Sequence, residues 1–201
     1  MPLFPPGQYG VLYADPPWRF ELRSDRGEDK SPQAHYGCMD LQALKAMRDQ
    51  VVWATAPDAV CIMWATFPML PQAIDLMACW GFSYCTGGPW NKLTSTGVEA
   101  FGTGYVLRSA SELFLIGTHG SPKIKNRSTR NVLFTGDLPD DLRHLGVSAS
   151  TIRREHSRKP DEMIPLIEGL FEGPYLELFA RQQRPGWAVW GNEVDKFSDA
   201  A

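Results

Sequence analysis

The apolar run Tyr9-Gly10-Val11-Leu12-Tyr13 gives way without transition to Ala14-Asp15-Pro16-Pro17-Trp18. A continuous apolar run of this length, closed by turn chemistry, reads as a strand buried on both faces, about residues 9–14. The two prolines fix two φ angles and remove two backbone donors, so neither strand nor helix continues through them. What remains is a stiff hook carrying one carboxylate, exposed carbonyl oxygens and one flat apolar face. Open α/β sheets gather their ligands at the carboxyl ends of strands, where this hook would stand. The competing reading is a plain turn with an exposed Asp15 and a core Trp18. The buried strand before the hook and the long polar stretch after it favour the functional reading.

The rest of the chain alternates strand and helix signals. Residues 19–37 are polar, centred on Asp25-Arg26-Gly27-Glu28-Asp29-Lys30-Ser31-Pro32, and read as a mobile loop. Asp40 is placed to cap a helix running to about Trp53. Residues 59–65 form an apolar run expected to be a central parallel strand. A helix is expected over about 68–79, with a proline in its first turn and Gly81 after its end. Further strands are expected at 82–91 and 112–117, separated by a Gly/Ser/Thr-rich loop at 94–110. A short edge strand is expected at 131–134, a helix at 160–170 opened by Pro160, and closing strands at 175–180 and 187–190. The pattern predicts one α/β domain over residues 1–201 with a mainly parallel sheet flanked by helices.

Composition excludes several classes. No run of about 18 apolar residues exists, so no membrane span is expected. The first residues lack the basic and apolar regions of a signal peptide, and the expected compartment is the cytoplasm. Cys38, Cys61, Cys79 and Cys85 show no metal-ligand spacing, which predicts free thiols and no metal site. Net charge is −3, which argues against a strong free-standing nucleic-acid binder. Residues 119–160 carry nine Lys/Arg against four acids, so a basic loop at about 119–130 reads either as a nucleic-acid patch or as a solvated face. Trp53, Trp80, Trp187 and Trp190 are expected in the core.

The hook suits one kind of chemistry. An amine conjugated to a ring, such as the exocyclic amine of adenine, is a poor nucleophile because its lone pair is delocalised. A carboxylate and a rigid carbonyl that each accept one of its hydrogens favour pyramidal geometry and free that lone pair. Asp15 supplies the carboxylate and Pro16 the carbonyl, with Trp18 available to stack on the base. A base handled in this way is single-stranded or flipped out of its duplex.

Asp15-Pro16-Pro17-Trp18 resembles the DPPW signature of the MT-A-seventy-type adenine N6-methyltransferases. This family includes the catalytic subunit of the eukaryotic mRNA adenosine methyltransferase and many bacterial and phage proteins. Further matches follow in order: His35-Tyr36-Gly37, Ile62-Met63-Trp64-Ala65-Thr66, Pro89-Trp90-Asn91-Lys92, and Gly102 to Arg108 followed by Glu112. His156-Ser157-Arg158-Lys159-Pro160-Asp161-Glu162 is a specific match, and Leu176 to Arg181, Trp187 and Gly191-Asn192 form the closing block. Together they cover about residues 9–193.

The resemblance implies a Rossmann-like, permuted methyltransferase fold, with the catalytic strand first and the cofactor strands last. It implies S-adenosylmethionine as methyl donor. Asp15, Pro16, Pro17 and Trp18 would be catalytic, and Trp18, Tyr36, Lys92 and Arg108 would meet the substrate. Asp15, Pro16, His156, Lys159, Phe179, Arg181, Gln183, Arg184, Asn192 and Glu193 would face the cofactor. The chain departs from the RNA enzyme at Ser111, where that enzyme carries lysine, and in the segment Arg181 to Gly186. That segment is shorter and lacks a histidine-asparagine pair, leaving Gln183 and Arg184 as replacements for ribose contacts. Glu193 stands where the family often has glutamine. Glu112 reads as a structural partner for a loop arginine such as Arg108.

The resulting expectation is a nucleic-acid adenine N6-methyltransferase that acts on DNA rather than RNA, because no RNA-binding module is evident. Two alternatives stand beside it. One is a non-catalytic partner using the fold to bind nucleic acid or another subunit, the other a methyltransferase acting on a protein glutamine amide. The intact hook speaks against the first, and its aspartate and tryptophan against the second. Oligomeric state and target sequence are not readable from the residues.

Overall fold

The computed structural model describes residues 3–19, 38–94, 98–102, 104, 106–135, 147–149 and 158–197. β1 (Tyr9–Ala14) is an inner strand of its sheet, lying parallel to β2 (Thr55–Ala65) on one side and to β7 (Tyr175–Leu178) on the other. The remaining strands are β3 (Ser83–Lys92), β4 (Ser111–His119), β5 (Leu133–Thr135), β6 (Val147–Ala149) and β8 (Trp187–Trp190). They form one eight-stranded sheet in the order β6-β5-β3-β4-β2-β1-β7-β8. β4 alone runs against its neighbours, pairing antiparallel with both β2 and β3, while the other ladders are parallel. The fold is therefore the expected α/β sheet, consistent with a methyltransferase fold. The 131–134 segment is not an edge: β5 is covered by β6, whose pairing with β5 brings in residues that carry no strand signal of their own.

Both faces of β1 are buried, as a continuous apolar run requires. Leu12 and Ala14 pack into one layer with Leu44, Val51, Leu76 and Trp80 of the helices on that side. Val11 and Tyr13 pack into the opposite layer with Met163 and Ile167. The first helical segment is divided into α1 (Leu41–Lys45) and α2 (Arg48–Ala54). Asp40 caps α1 as expected, its carboxylate accepting the Ala43 N–H at 2.7 Å. α3 (Leu70–Cys79) carries a proline in its first turn and is followed by Gly81 at φ +89°. α4 spans Met163–Leu170, three residues later than Pro160 suggests. Trp80, Trp187 and Trp190 are in the core, but Trp53 is 65% exposed. It faces away on the outer side of α2, where helical periodicity leaves it no layer to join.

The direction of the strands decides what meets what. The ends of β1, β2, β3, β7 and β8 come out at one edge of the sheet, and the start of antiparallel β4 comes out there too. The far end of β4, His119, lies opposite Ala59 near the other edge. The basic loop after it is tied down at that other edge. Ser121 N–H donates to the Asp58 carboxylate at 2.7 Å, and Lys125 Nζ donates to the Glu168 and Phe171 carbonyls at the end of α4. That loop consequently stands across the sheet from the hook, not beside it. No helix among the described residues is long and apolar enough to cross a membrane.

Candidate active site

The hook is fixed by backbone hydrogen bonds. Trp18 N–H donates to the Pro16 carbonyl at 2.8 Å, closing a three-residue turn over Pro17. Met39 N–H donates to the Pro17 carbonyl at 2.8 Å, and Arg19 N–H to the Met39 carbonyl at 3.2 Å. Trp18 is 5% exposed, and its indole N–H donates to the Trp64 carbonyl at 3.1 Å. The flat face expected to stack on a base is therefore packed inside the protein. Trp18 acts as the pin that holds the hook to the end of β2, because an indole ring with its N–H satisfied gains more from burial than from solvent. Trp64 is itself a junction. Its N–H donates to the Tyr13 hydroxyl at 2.6 Å, and its ring meets Trp90 and Phe114 edge-on.

Asp15 is held by two cations from the distant end of the chain. Lys159 Nζ lies 2.8 Å from Oδ1, and Arg181 Nη2 donates to Oδ2 at 2.9 Å. Lys159 also reaches the Glu112 carboxylate at 3.3 Å, and Glu112 is paired with Lys92. An alternating row of charges, Lys92, Glu112, Lys159, Asp15, Arg181, thus runs along the edge of the sheet where the hook stands. Burial pushes the Glu112 carboxyl up, but Lys159 and Lys92 together outweigh it and hold the group at about 2. Burial pulls Lys159 down, but Asp15 and Glu112 more than reverse this and hold it above its ordinary value. Lys159 Nζ also lies 5.6 Å from the Trp64 ring centroid, and Lys92 Nζ 4.6 Å from that of Trp90. The partners of Glu112 are lysines rather than Arg108, which instead lies 5.3 Å from the Phe101 ring in the β3–β4 connection.

Beside this row lies a cleft of about 210 Å³ between the hook and the ends of β7 and β8. Its walls are Asp15, Pro16, Pro17, Met39, Phe179, Ala180, Arg181, Trp190, Gly191, Asn192 and Glu193. Six residues expected at a cofactor site are therefore gathered in one place: Asp15, Pro16, Phe179, Arg181, Asn192 and Glu193. Phe179 adopts φ +62°, a left-handed conformation unusual for an aromatic residue, where the chain leaves β7. Gly191 is required nearby, because a Cβ there would stand 2.4 Å from the Ala180 carbonyl oxygen and 2.8 Å from its nitrogen. Met39 and Trp190 join the cleft without having been singled out. Trp190 was expected only as core, and it serves both roles, buried at 5% and edge-on to Phe179 at 5.6 Å.

Other expected residues go elsewhere. Gln183 is exposed and Arg184 turns away from the cleft, its Nε donating to the Glu177 carboxylate at 2.7 Å. Lys92 is engaged with Glu112, and Arg108 is exposed. Tyr36 and His156 lie outside the described residues, as does most of the 19–37 loop. Among the described residues no cluster of His, Cys, Asp and Glu has metal-binding geometry, and all four cysteines are free thiols.

Comparison with known proteins fits this geometry. The chain is 30% identical to the Type II methyltransferase M.MunI of Mycoplasma sp over 211 residues, covering 96% of this chain and 81% of that protein. It is 28% identical over 200 residues to the human N(6)-adenine-specific methyltransferase METTL4, covering 94% of this chain and 38% of that protein. It is also 28% identical over 194 residues to a rice probable N(6)-adenosine-methyltransferase MT-A70-like, of which it spans 23%. The family model MT-A70 matches residues 9–193, from the first residue of β1 to the far wall of the cleft. The chain is thus a methyltransferase and belongs to the MT-A70 family of adenine N6-methyltransferases, whose methyl donor is S-adenosylmethionine.

Proposed function

We propose that the protein methylates the N6 amine of adenine in DNA, with the cleft between the hook and the ends of β7 and β8 holding S-adenosylmethionine. The observation that carries this reading is the Asp15 carboxylate, fixed by Lys159 and Arg181 at the wall of that cleft. The residues present fit such a group. Phe179, Met39 and Trp190 offer apolar surface for a purine, while Asn192 and Glu193 offer polar partners for ribose hydroxyls. Gly191 keeps the backbone close enough for the β7 and β8 ends to form a narrow slot. At about 210 Å³ the cleft is smaller than the usual range of about 300–1,000 Å³ for ligand pockets, which suits one portion of the molecule.

S-adenosylmethionine, when bound, supplies an electrophilic methyl group on a sulfonium. The protein's own part is to bind and orient. Asp15 and the Pro16 carbonyl accept the two hydrogens of the target amine. Each already accepts hydrogen bonds, from Lys159 and Arg181 and from Trp18 N–H respectively, but a carboxylate has about four acceptor positions and a carbonyl two. Those existing bonds hold both acceptors still before the base arrives, so positioning supplies much of the rate. The amine gains positive charge as it attacks, and the Asp15 carboxylate stabilises that charge.

The choice of DNA is supported by the match to a type II methyltransferase over most of that protein's length. In the plant and animal relatives the matched domain is a smaller share of the whole. The test is transfer of a labelled methyl group from S-adenosylmethionine to adenine-containing DNA and RNA of matched sequence. Transfer to DNA that Asp15→Ala abolishes supports the reading. Normal cofactor binding with no transfer to either polymer overturns it, and transfer to RNA alone moves the substrate assignment.

A further inference from the structure

Arg184 follows the cleft-lining Arg181 by three residues, yet its side chain pairs with carboxylates outside the cleft. Its Nε donates to Glu177 Oε2 at 2.7 Å, and its Nη2 lies 3.5 Å from Asp161 Oδ1. Glu177 sits on β7 and is 8% exposed, the one charged residue among the fully buried described positions. A buried carboxylate on an inner strand is costly unless paired, so this pair has to be made whenever the fold is made. Asp161 belongs to the segment that leads into α4, two residues after Lys159. Arg158 Nη2 lies 3.1 Å from Asp161 Oδ2 and 3.3 Å from the Gln182 side-chain oxygen, and Gln182 Nε2 donates back to Asp161 at 3.3 Å.

Two segments far apart in sequence are thereby stitched together. One, 158–161, carries Lys159. The other, 181–184, carries Arg181. These are the two cations that grip Asp15. The turn that follows is stiff as well. Pro185 and Gly186, the latter at φ +78°, occupy the middle of a turn closed by Trp187 N–H to the Arg184 carbonyl at 3.2 Å.

We propose that Arg184 is a positioning residue: by bridging Glu177 and Asp161 it locks the segments bearing Arg181 and Lys159 against each other, and so presets the cofactor cleft without lining it. The inference rests on reading that cleft as the S-adenosylmethionine site. It assigns to Arg184 a role one layer behind the contacts, in place of a ribose contact. It also predicts a pH signature. Burial raises the Glu177 carboxyl above its ordinary value, although Arg184 opposes the shift. The groups that face Glu177 are Arg184 from the β7–β8 connection, Asp161 from the lead into α4, Tyr13 from β1 and Asp15 from the hook. Its partner across the ladder on β8, Val189, carries no charge. A raised carboxyl takes up a proton closer to neutrality as pH falls, and once neutral it no longer anchors Arg184. Cofactor affinity is therefore present above that value and declines on acidification through it.

The experiment is calorimetric titration of the full chain with S-adenosylmethionine, for the parent protein, Arg184→Met, Arg184→Lys and Glu177→Gln, between pH 5 and 8. Arg184→Met should bind about 10-fold or more weakly, and Arg184→Lys should recover part of that loss by restoring a point charge without the fork. Glu177→Gln should bind more weakly near pH 8 and lose the acid decline. Asp15 and Asp161 are common to both proteins, so the difference between the two profiles isolates Glu177. If Arg184→Met does not fold, Glu177→Gln, which keeps the side-chain shape, carries the test alone. Binding by the folded variants within twofold of the parent, with an unchanged pH profile, overturns the inference while leaving the cofactor reading intact. No binding by the parent protein overturns the cofactor reading, and the inference falls with it.

Discussion

Lys159 joins Asp15 to Glu112: one ammonium, 2.8 Å from the first carboxylate and 3.3 Å from the second, links the exit of β1 to the start of β4. The two acids come from adjacent sheet positions only by way of β2, and neither contacts the other. The lysine is what turns two separate carboxylates into one charged edge.

Replacing Lys159 should therefore be felt at Asp15 first. Lys159→Met leaves Asp15 with Arg181 as its cation and frees the carboxylate to rotate. We expect methyl transfer to fall by about 10²-fold or more, the usual cost of losing a preorganised electrostatic contact. Single-turnover assays with labelled methyl donor measure this. A rate within threefold of the parent shows that Asp15 needs only one of its two cations.

Glu112 should show its value in stability. Its carboxyl is lowered from 4.5 to about 2, so it stabilises the folded state above about pH 4.5 and loses that contribution as pH falls towards 2. At about 1.4 kcal/mol per unit, the shift corresponds to about 3 kcal/mol at neutral pH. Glu112→Gln should be less stable by about that amount in urea at pH 7, because Lys92 and Lys159 are left sharing one anion fewer. The gap should narrow steadily below pH 4.5. A gap that is constant with pH would show that packing, not charge, carries the effect.

Trp18 separates a core role from a base-stacking role. Its removal leaves a large void and takes the indole donor from the Trp64 carbonyl, so Trp18→Ala should cost about 3–5 kcal/mol. Trp18→Phe keeps most of the ring volume and loses the 3.1 Å hydrogen bond, for about 1–2 kcal/mol. Where Trp18→Phe remains folded, KM for the nucleic acid should stay within about twofold. A large rise in KM with unchanged stability would return Trp18 to the substrate.

Gly191→Ala tests the slot. The added methyl would meet backbone atoms of Ala180 at 2.4 and 2.8 Å, and backbone cannot step aside as a flexible side chain can. The ends of β7 and β8 must part, breaking the Ala180 N–H bond to the Trp190 carbonyl at 3.0 Å. S-adenosylmethionine affinity should drop by about 10-fold or more in calorimetry, with a loss of thermal stability. Unaltered affinity would place the cofactor elsewhere.

Local chemistry made much of this legible in the residues alone. The run into Asp15-Pro16-Pro17 marks a strand end because proline cannot continue it, and Asp40 marks a helix start because its side chain caps one. The edge of charges was less accessible. Lys159 and Asp15 are 144 positions apart, and only the order of strands in the sheet brings them together. Glu112 looked destined for a neighbouring loop arginine, but antiparallel β4 delivers it to Lys92 and Lys159 instead. Trp18 carries no signal that separates a stacking ring from a buried one, since both need the same indole. Arg184 shows the same limit: a basic residue near a ligand site looks alike in sequence whether it faces outward or inward.

The one reversed strand has a consequence for how this protein can diversify. β3 and β4 form a hairpin whose connection leaves at Leu93 and returns at Ala110, at the edge of the sheet where the hook stands, and the ladder below is closed by the Lys92 N–H bond to the Ala110 carbonyl at 2.9 Å. Residues added or removed beyond that closing bond leave every strand register untouched. A different length or composition in that connection should therefore alter what stands beside the hook while the row of charges beneath it keeps its shape.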